Sequence, residues 1–185
     1  VRLFLETGVE RHFATIVRRH VGAVHGFLRS AGIEDEHVDD VAQEVFLGLY
    51  SSLGRWRGEA PLGIWIYSIA WRQVRRFRRA MLVRAVLRPL ARRADAPDPV
   101  ESLPARGGDA LAELTAAEDR SEVRAALARL PERQRAALAL RYFEGLKLDE
   151  VALALGMAPG TAKATVFKGL KNMERMLGGD DARRS

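Results

Sequence analysis

Apolar residues recur at helical spacing in both halves of this 185-residue chain, and a segment rich in proline and glycine separates the halves. That segment spans residues 88–109 and contains Pro89, Pro97, Pro99, Pro104, Gly107 and Gly108. Because proline lacks an amide donor and restricts the residue before it, the segment cannot form one regular helix. No strand-type alternation persists elsewhere. The sequence therefore predicts an all-α fold of two helical domains, residues 1–87 and 112–185, joined by a flexible linker at 88–111.

The composition favours a polyanionic partner. The formal net charge is +6, and arginine supplies most of the positive charge. A GC-rich genome produces the same arginine bias, so charge alone does not identify a function. Cysteine is absent, which excludes disulfides, thiolate metal sites and a cysteine nucleophile. No apolar run approaches about 20 residues and no signal-peptide pattern opens the chain, so we expect a cytoplasmic protein without membrane insertion.

Two apolar stripes predict two packed helices in the first domain. The members of the first stripe are Phe13, Ile16, Val17, Val21, Val24, Phe27 and Leu28. After a break at Gly32, the members of the second are Val38, Val41, Ala42, Val45, Phe46, Leu49 and Leu53. We expect both stripes to face a shared core.

The second helix carries a polar surface opposite its apolar stripe. Asp40, Gln43, Glu44 and Leu47 are spaced i, i+3, i+4, i+7, so their side chains are neighbours; we call these four residues the acidic face. Most charge-rich helix faces are merely solvated. A leucine among acids is typical of the edge of a contact patch, although single exposed leucines are common.

A loop with a central tryptophan follows at residues 54–61, where Trp56 lies between Arg55 and Arg57. An indole can stack on an unpaired base, and arginine supplies charge and a planar fork. Taken by itself, however, the segment favours a tryptophan that caps the core.

The next helix, from Leu62 to about Arg79, has an apolar first half and an arginine-rich second half. Five arginines in eight residues repel one another unless an anion neutralises them. Interleaved aromatic and basic residues are typical of a contact with melted nucleic acid, and the candidates are Trp71, Arg72, Arg75, Arg76 and Arg79. The competing interpretation is a membrane-surface helix, which needs an apolar face free for lipid.

The second domain has a helix-turn-helix pattern. A short helix at 148–155 ends at Gly156, and Pro159, Gly160 and Thr161 open a last helix in which Thr161 can cap free amides. Its predicted buried stripe is Ala162, Val166, Leu170, Met173 and Leu177. The candidates for duplex contacts, on base edges and phosphates, are Thr161, Lys163, Thr165, Phe167, Lys168 and Lys171. By itself this half would equally suit the output domain of a response regulator.

Motifs in both halves closely resemble extracytoplasmic-function sigma factors of the sigma-70 family, which are bacterial transcription initiation factors. Those similar to the family's second region are Asp39–Leu47 (DDVAQEVFL), Trp56–Ala60 (WRGEA) and Trp65–Ala70 (WIYSIA). Those similar to its fourth region are Leu130–Arg135 (LPERQR), Tyr142–Gly145 (YFEG), Glu150–Ala152 (EVA) and Gly160–Lys163 (GTAK). The two sets occur in the family's order and together cover most of the chain.

The resemblance implies a role for each surface. The acidic face would dock on the clamp helices of the core RNA polymerase largest subunit. The loop around Trp56 would hold a flipped base of the promoter −10 element, the arginine-rich helix would contact the backbone of the opening duplex, and the last helix would read the −35 element. An anti-sigma factor is a further implied partner. The chain departs from the family at Arg72, Arg76, Ala164 and Thr165, where the family often has asparagine, aspartate, serine and arginine.

The linker also predicts that the two domains move relative to each other. In the free protein they would pack together and hide both DNA-binding helices, and on core polymerase they would separate.

Two other classes of protein compete with a sigma factor. A conventional helix-turn-helix regulator would bind duplex operator alone, usually as a symmetric dimer. An RNA-binding protein would show salt-dependent affinity without promoter preference. The acidic face and the single helix-turn-helix after a linker favour the sigma factor.

The sequence gives no sign of an enzyme. It has no glycine-rich phosphate loop, no HExxH and no nucleophile elbow, and we expect no cofactor. The histidines at 12, 20, 25 and 37 lack partners at metal-ligand spacing, so we expect no metal site.

Overall fold

The computed structural model describes residues 10–91 and 122–184, and within these ranges every regular element is helical, which confirms the all-α prediction. The first domain contains α1 (Glu10–Ser30), α2 (Asp35–Ser52), a 3-10 turn (Leu53–Arg55) and α3 (Leu62–Ala91). The second contains α4 (122–129), α5 (Glu132–Leu138), a π turn (Ala139–Phe143), α6 (Leu148–Leu155) and α7 (Pro159–Arg184). No helix in the described part of the chain is long and apolar enough to cross a membrane.

The apolar stripe of α2 lies at the centre of the first domain. All seven residues predicted for it are buried. The stripe of α1 is buried at Ile16, Val24, Phe27 and Leu28, while its other three members are half-buried against the same core. Helices α1, α2 and α3 pack against one another around these side chains. Burying one large apolar side chain stabilises the fold by about 1.5–3 kcal/mol, so this core is the main source of the domain's stability.

The turn between α1 and α2 depends on Gly32, which adopts a φ of +86°. The amides of Ala31 and Ile33 donate to the carbonyls of Phe27 and Leu28, at 2.7 and 3.0 Å, and so close the end of α1. Arg78 of α3 donates from Nη2 to the carbonyls of Ala31 and Gly32, at 2.8 and 3.2 Å. One arginine of the basic helix is therefore a structural tie between α3 and this turn.

Helix α3 is longer than the sequence predicted. It continues past Arg79 to Ala91, so residues 88–91 of the predicted linker are helical; the rest of the linker, at 92–111, lies outside the described residues. The segment after Arg79 consists largely of alanine, leucine, methionine and arginine, which are strong helix formers. Pro89 lies within this last part of the helix and does not prevent the turns before it.

The second domain is the expected helix-turn-helix. Gly156 ends α6 with a φ of +62°, the left-handed conformation that favours glycine at this position, and the carboxylate of Glu150 accepts a 2.7 Å hydrogen bond from the Lys147 amide at its start. Helix α7 then packs against α5 and α6.

The predicted stripe of α7 was wrong at one position. Leu170 is 41% exposed, and the buried residue in this turn is Gly169. A Cβ added at Gly169 would lie 3.1 Å from the Leu138 side chain, so glycine permits the close approach of α7 to α5. A hydrophobic pattern cannot reveal a contact made by a residue without a side chain.

The two domains pack against each other, as expected for the free protein. Helix α3 contacts α6, and α1 contacts the π turn and α5.

Gly32→Ala should destabilise the full chain by about 1–2 kcal/mol from the left-handed backbone alone. The added methyl group would also lie 2.6 Å from the guanidinium groups of Arg78 and Arg135, which must then move. Urea unfolding followed by circular dichroism measures the effect. Gly22→Ala is the matched control, because Gly22 lies in α1 with nothing within 4 Å and should gain roughly 0.5–1 kcal/mol. Equal unfolding midpoints for the two variants would contradict this account of the turn.

Candidate protein and nucleic-acid interfaces

All four side chains of the acidic face point away from the core. Asp40, Gln43 and Glu44 are exposed, and Leu47 is 55% exposed. The residues between them, such as Val41 and Val45, are buried and hold the helix in place. The result is a rigid, acidic surface with an accessible apolar residue at its edge, which suits a protein partner better than a nucleic acid.

The acidic face adjoins the arginine-rich helix. Arg76 Nη1 lies 3.7 Å from Glu44 Oε2, and Gln73 Nε2 donates to the Glu44 carbonyl at 3.5 Å. Both ion-pair side chains are largely exposed, so the pair contributes little to stability. A shallow groove of about 290 Å³ runs between the helices, lined in part by Asp40, Phe77 and Arg84. The surface predicted to bind a protein partner and the surface predicted to bind DNA therefore share a boundary.

The arginines predicted to contact DNA are available on α3. Arg72, Arg75, Arg76 and Arg79 are all exposed, whereas Arg78 is half-buried and bonded to the Gly32 turn. They give this side of α3 a strong positive potential, which attracts a phosphate backbone.

Trp71 does not belong to this exposed set. Its side chain is 3% exposed, so in this arrangement its indole has no face free for a base. Trp71 follows Tyr67 by four residues and precedes Val74 by three, and both of these are buried. Its position on the buried stripe of the helix therefore determines its environment. The prediction that Trp71 contacts nucleic acid together with the neighbouring arginines does not fit this position.

In the loop at 54–61, Trp56 and its neighbours differ in exposure. Trp56 is half-buried against the core, and its Nε1 donates to the Ala60 carbonyl at 3.1 Å. The indole thus closes the loop, in agreement with the core-capping interpretation. Arg55 and Arg57 are exposed on either side of it and are free to contact an anion.

The outward face of α7 is accessible. Thr161, Lys163, Lys168 and Lys171 are exposed, and Phe167 is 66% exposed. Thr165 is half-buried, and its hydroxyl donates to the Thr161 carbonyl at 2.7 Å. The expectation that domain packing hides both DNA-binding helices is therefore wrong for α7, because the packed helix is α6.

A tyrosine and a glutamate link the two domains. The Tyr67 hydroxyl of α3 donates to a carboxylate oxygen of Glu144, which follows the π turn. Tyr67 is 7% exposed and packs edge-on against Phe27, with ring centroids 5.5 Å apart. Burial, the hydrogen bond and the negative charge of Glu144 all raise the pKa of Tyr67 far above its usual value. The sequence did not predict this pair, although a buried tyrosine usually requires a partner for its hydroxyl.

Two exposed apolar surfaces were also not predicted. The C-terminal part of α3 exposes Leu82, Val83 and Leu87, and the second domain exposes Tyr142, Phe143 and Leu153. The first half of α3, by contrast, is packed against other helices, which opposes the membrane-surface interpretation for that half.

One group of side chains could in principle hold a metal ion. Glu34, Glu36 and His37 each place a ligand atom within 4.8 Å of the others. The group lies at the N-terminal end of α2, where the helix dipole disfavours a cation, and both carboxylates are exposed. These residues alone do not make a metal site.

Comparisons with known proteins agree with the order of these surfaces. The family model for Sigma-70 region 2 matches residues 16–84, and that for Sigma-70, region 4, matches residues 120–173. The RNA polymerase sigma-H factor of Pseudomonas aeruginosa is 28% identical over 180 residues, covering 94% of this chain and 90% of that protein. The ECF RNA polymerase sigma-E factor of Escherichia coli K12 is 28% identical over 171 residues, covering 89% and 85%.

Solved structures share the fold. The structure of CnrH in complex with the cytosolic domain of CnrY aligns with a TM-score of 0.65 at 21% identity, covering 95% of this chain and 94% of that one. The sigma factor RpoE of Bartonella quintana, solved with the anti-sigma factor NepR, aligns with a TM-score of 0.64 at 20% identity, covering 91% and 98%.

Tyr67→Phe should loosen the domain contact, because it removes the hydroxyl donor and leaves the Glu144 carboxylate without that partner. A hydrogen bond to a charged group is worth about 1.5–3 kcal/mol, so its loss should shift the equilibrium towards the separated arrangement. Fluorophore pairs on α2 and α7 of the full chain would report a longer mean distance. Tyr142→Phe, at an exposed tyrosine two residues before Glu144, is the matched control and should leave the distance unchanged. An unchanged distance in both variants would show that the pair does not hold the domains together.

Proposed function

The chain belongs to the sigma-70 family and is an RNA polymerase sigma factor of the extracytoplasmic-function type, and we propose that its separate surfaces divide polymerase binding and promoter recognition. The single observation that best supports this division is the acidic face, which is fully presented to solvent above a buried stripe. In this proposal the first domain spans residues 1–87, the linker 88–111 and the second domain 112–185. Polymer synthesis would belong to the polymerase, and this chain would supply binding free energy.

The acidic face is the proposed contact to core RNA polymerase, in the bacterial cytoplasm. Asp40 and Glu44 supply negative charge, Gln43 supplies an amide, and Leu47 supplies apolar area. Charge complementarity would steer the encounter, and burial of Leu47 would slow dissociation. A conventional helix-turn-helix regulator has no use for such a face, nor for a complete region 2.

The proposed −10 contacts lie on the loop at 54–61 and on α3. Arg55, Arg57, Arg72, Arg75, Arg76 and Arg79 are exposed and would hold the phosphates of the opening duplex. Trp56 would offer only its exposed edge unless the loop opens and breaks the bond to Ala60, and Trp71 would act from the core by supporting the helix. Phosphate contacts then supply most of the affinity of this surface.

The proposed −35 contacts lie on α7. Thr161 and Lys163 are at its N-terminal end, which enters the major groove in a helix-turn-helix. Phe167 and Thr165 lie further along and would affect base preference, while Lys168 and Lys171 would contact phosphates. The accessibility of these side chains in the packed arrangement supports this assignment.

An anti-sigma factor is the proposed regulatory partner. The sigma factor RpoE was solved with the anti-sigma factor NepR, and it shares the present fold. The apolar side chains exposed on α3 and on the second domain offer contact area for such a partner.

The double substitution of Gln43→Lys and Leu47→Lys should abolish binding to core polymerase, because two cations would replace the amide and the apolar contact of an acidic surface. The fold should survive, since both side chains are exposed. Reconstituted transcription with purified core polymerase, together with a direct binding assay, measures the effect. Glu174→Lys makes the same change of two charge units on exposed α7 and is the control for net charge. Normal holoenzyme assembly by the double variant would refute the role of the acidic face.

Replacing Lys163, Lys168 or Lys171 with alanine should weaken promoter binding by holoenzyme without unfolding the domain. Each lost phosphate contact should reduce the slope of log affinity against log salt by about one unit. Arg19→Ala, on the exposed side of α1, is the control and should leave the slope unchanged. An identical slope in wild type and in all three lysine variants would remove α7 from the DNA interface.

A further inference from the structure

Two arginines from different domains meet at the Gly32 turn. An ideal Cβ on Gly32 would lie 2.6 Å from Arg135 Cζ and 2.6 Å from Arg78 Nη2, so the two guanidinium groups lie on the same side of this glycine. Arg78 belongs to α3 of the first domain and Arg135 to α5 of the second. We call them the arginine pair.

Within residues 10–91 and 122–184, neither member of the arginine pair has a carboxylate partner. Arg78 donates to the carbonyls of the Gly32 turn, and Arg135 Nη1 donates to the Ala128 carbonyl at 3.1 Å. Their Nε atoms are both buried without a hydrogen-bond partner. Arg29 and Arg76, by contrast, form ion pairs with Asp35 and Glu44.

The two positive charges oppose each other at a desolvated position. Arg135 is 6% exposed, and its pKa is lowered first by burial and then by the charge of Arg78; Glu132 acts in the opposite direction. The Glu132 carboxylate does not reach ion-pair distance, and its Oε1 is buried without a partner. Like charges held close together at a partly desolvated position repel each other, and an anion beside them would relieve that repulsion.

A cleft between the domains opens beside the pair. It has a volume of about 830 Å³, within the usual range for small-molecule sites, and Gly32 and Arg135 form part of its wall. Its apolar walls include Ile33, Val123, Leu127 and Phe143. Its other charged residues are Arg29, Arg124, Glu34 and Asp35, and Asp35 is already paired with Arg29 at 2.6 Å. Arginine therefore outnumbers unpaired carboxylate around the cleft.

We propose that this cleft binds a small molecule bearing a phosphate group, with the phosphate against Arg135, the member of the arginine pair that lines the cleft, and its remaining part against the apolar wall near Phe143. Guanidinium groups are well matched to phosphate oxygens, because their planar fork allows two parallel hydrogen bonds. An anion on Arg135 would offset its repulsion with the neighbouring Arg78 guanidinium group. Because the wall of the cleft comes from α1 and the Gly32 turn on one side and from α4 and α5 on the other, the bound molecule would stabilise the packed domains over the separated ones.

The binding site rests on these contacts alone, whereas its regulatory consequence rests on the proposed function. In a sigma factor, a ligand that stabilises the packed arrangement would compete with the separation of domains on core polymerase.

Isothermal titration calorimetry on the full chain, without polymerase, tests the site. The probes are inorganic phosphate and magnesium-free ATP, each compared with sodium chloride at equal ionic strength. We expect saturable binding of phosphate, and tighter binding of ATP if the apolar wall takes part. Equal affinity for both would assign the site to the phosphate group alone and still support it. No saturable binding of either probe would overturn the proposal.

Arg135→Gln should weaken binding at least about tenfold, which corresponds to 1.4 kcal/mol. Arg133→Gln, at an exposed position of the same helix, is the matched control and should bind as wild type does. Equal loss in both variants would indicate a bulk charge effect and overturn the site. If Arg135→Gln fails to fold, amide NMR shifts in the wild-type chain decide the matter: phosphate should shift Gly32, Ala128 and their neighbours, and uniform small shifts would refute the site.

Discussion

The burial of the α2 stripe is the constraint on which the rest of the first domain depends. Six apolar side chains of α2, extended by Leu53 of the 3-10 turn, pack against α1 and α3, and their burial fixes the orientation of the helix. That orientation fixes the acidic face outward and sets α3 alongside it, so the arginines of α3 emerge next to the acids of α2. The chemistry of the surface thus follows from the packing beneath it. A substitution in the core would disturb the proposed polymerase contact and the proposed DNA contact together, since both surfaces share one support.

The domain seam has a different character. It combines a buried hydrogen bond between Tyr67 and Glu144 with the unneutralised charges of Arg78 and Arg135, so attractive and repulsive contacts lie within one interface. Such an interface is only moderately stable, which is consistent with the prediction that the domains separate on core polymerase. Packing through α6 leaves α7 accessible. The packed arrangement therefore does not cover α7, the helix proposed to read the −35 element. If domain packing inhibits promoter binding, it would do so by fixing the distance between the two proposed DNA-binding surfaces.

Much of this architecture could be predicted from the sequence, because it is set by helical periodicity. The stripes of α1 and α2, the break at Gly32 and the helix-turn-helix each followed from spacing and from glycine or proline. The errors arose where another factor outweighed periodicity. The arginines beside Trp71 in the sequence suggest an exposed side chain, but its place on the helical stripe buries it. The pattern of α7 predicts a buried Leu170, whereas the buried residue is Gly169, which has no side chain to contribute to a pattern. Helix α3 continues past Arg79 because the residues there have high helix propensity. The contacts of Tyr67 and Arg135 join residues far apart in the chain, and no local pattern reports such partners.

The ion pair between Arg76 and Glu44 has a consequence for energetic coupling. Each residue is committed to a different proposed partner, yet in the unbound protein they neutralise each other across the boundary between α2 and α3. When a protein engages Glu44, Arg76 loses its counter-charge and becomes a stronger ligand for phosphate. Thermodynamic linkage makes the effect reciprocal, so DNA on Arg76 strengthens the attraction of Glu44 for its protein partner by the same factor. A single weak surface ion pair would thereby make the two binding events cooperative, without any movement of the backbone.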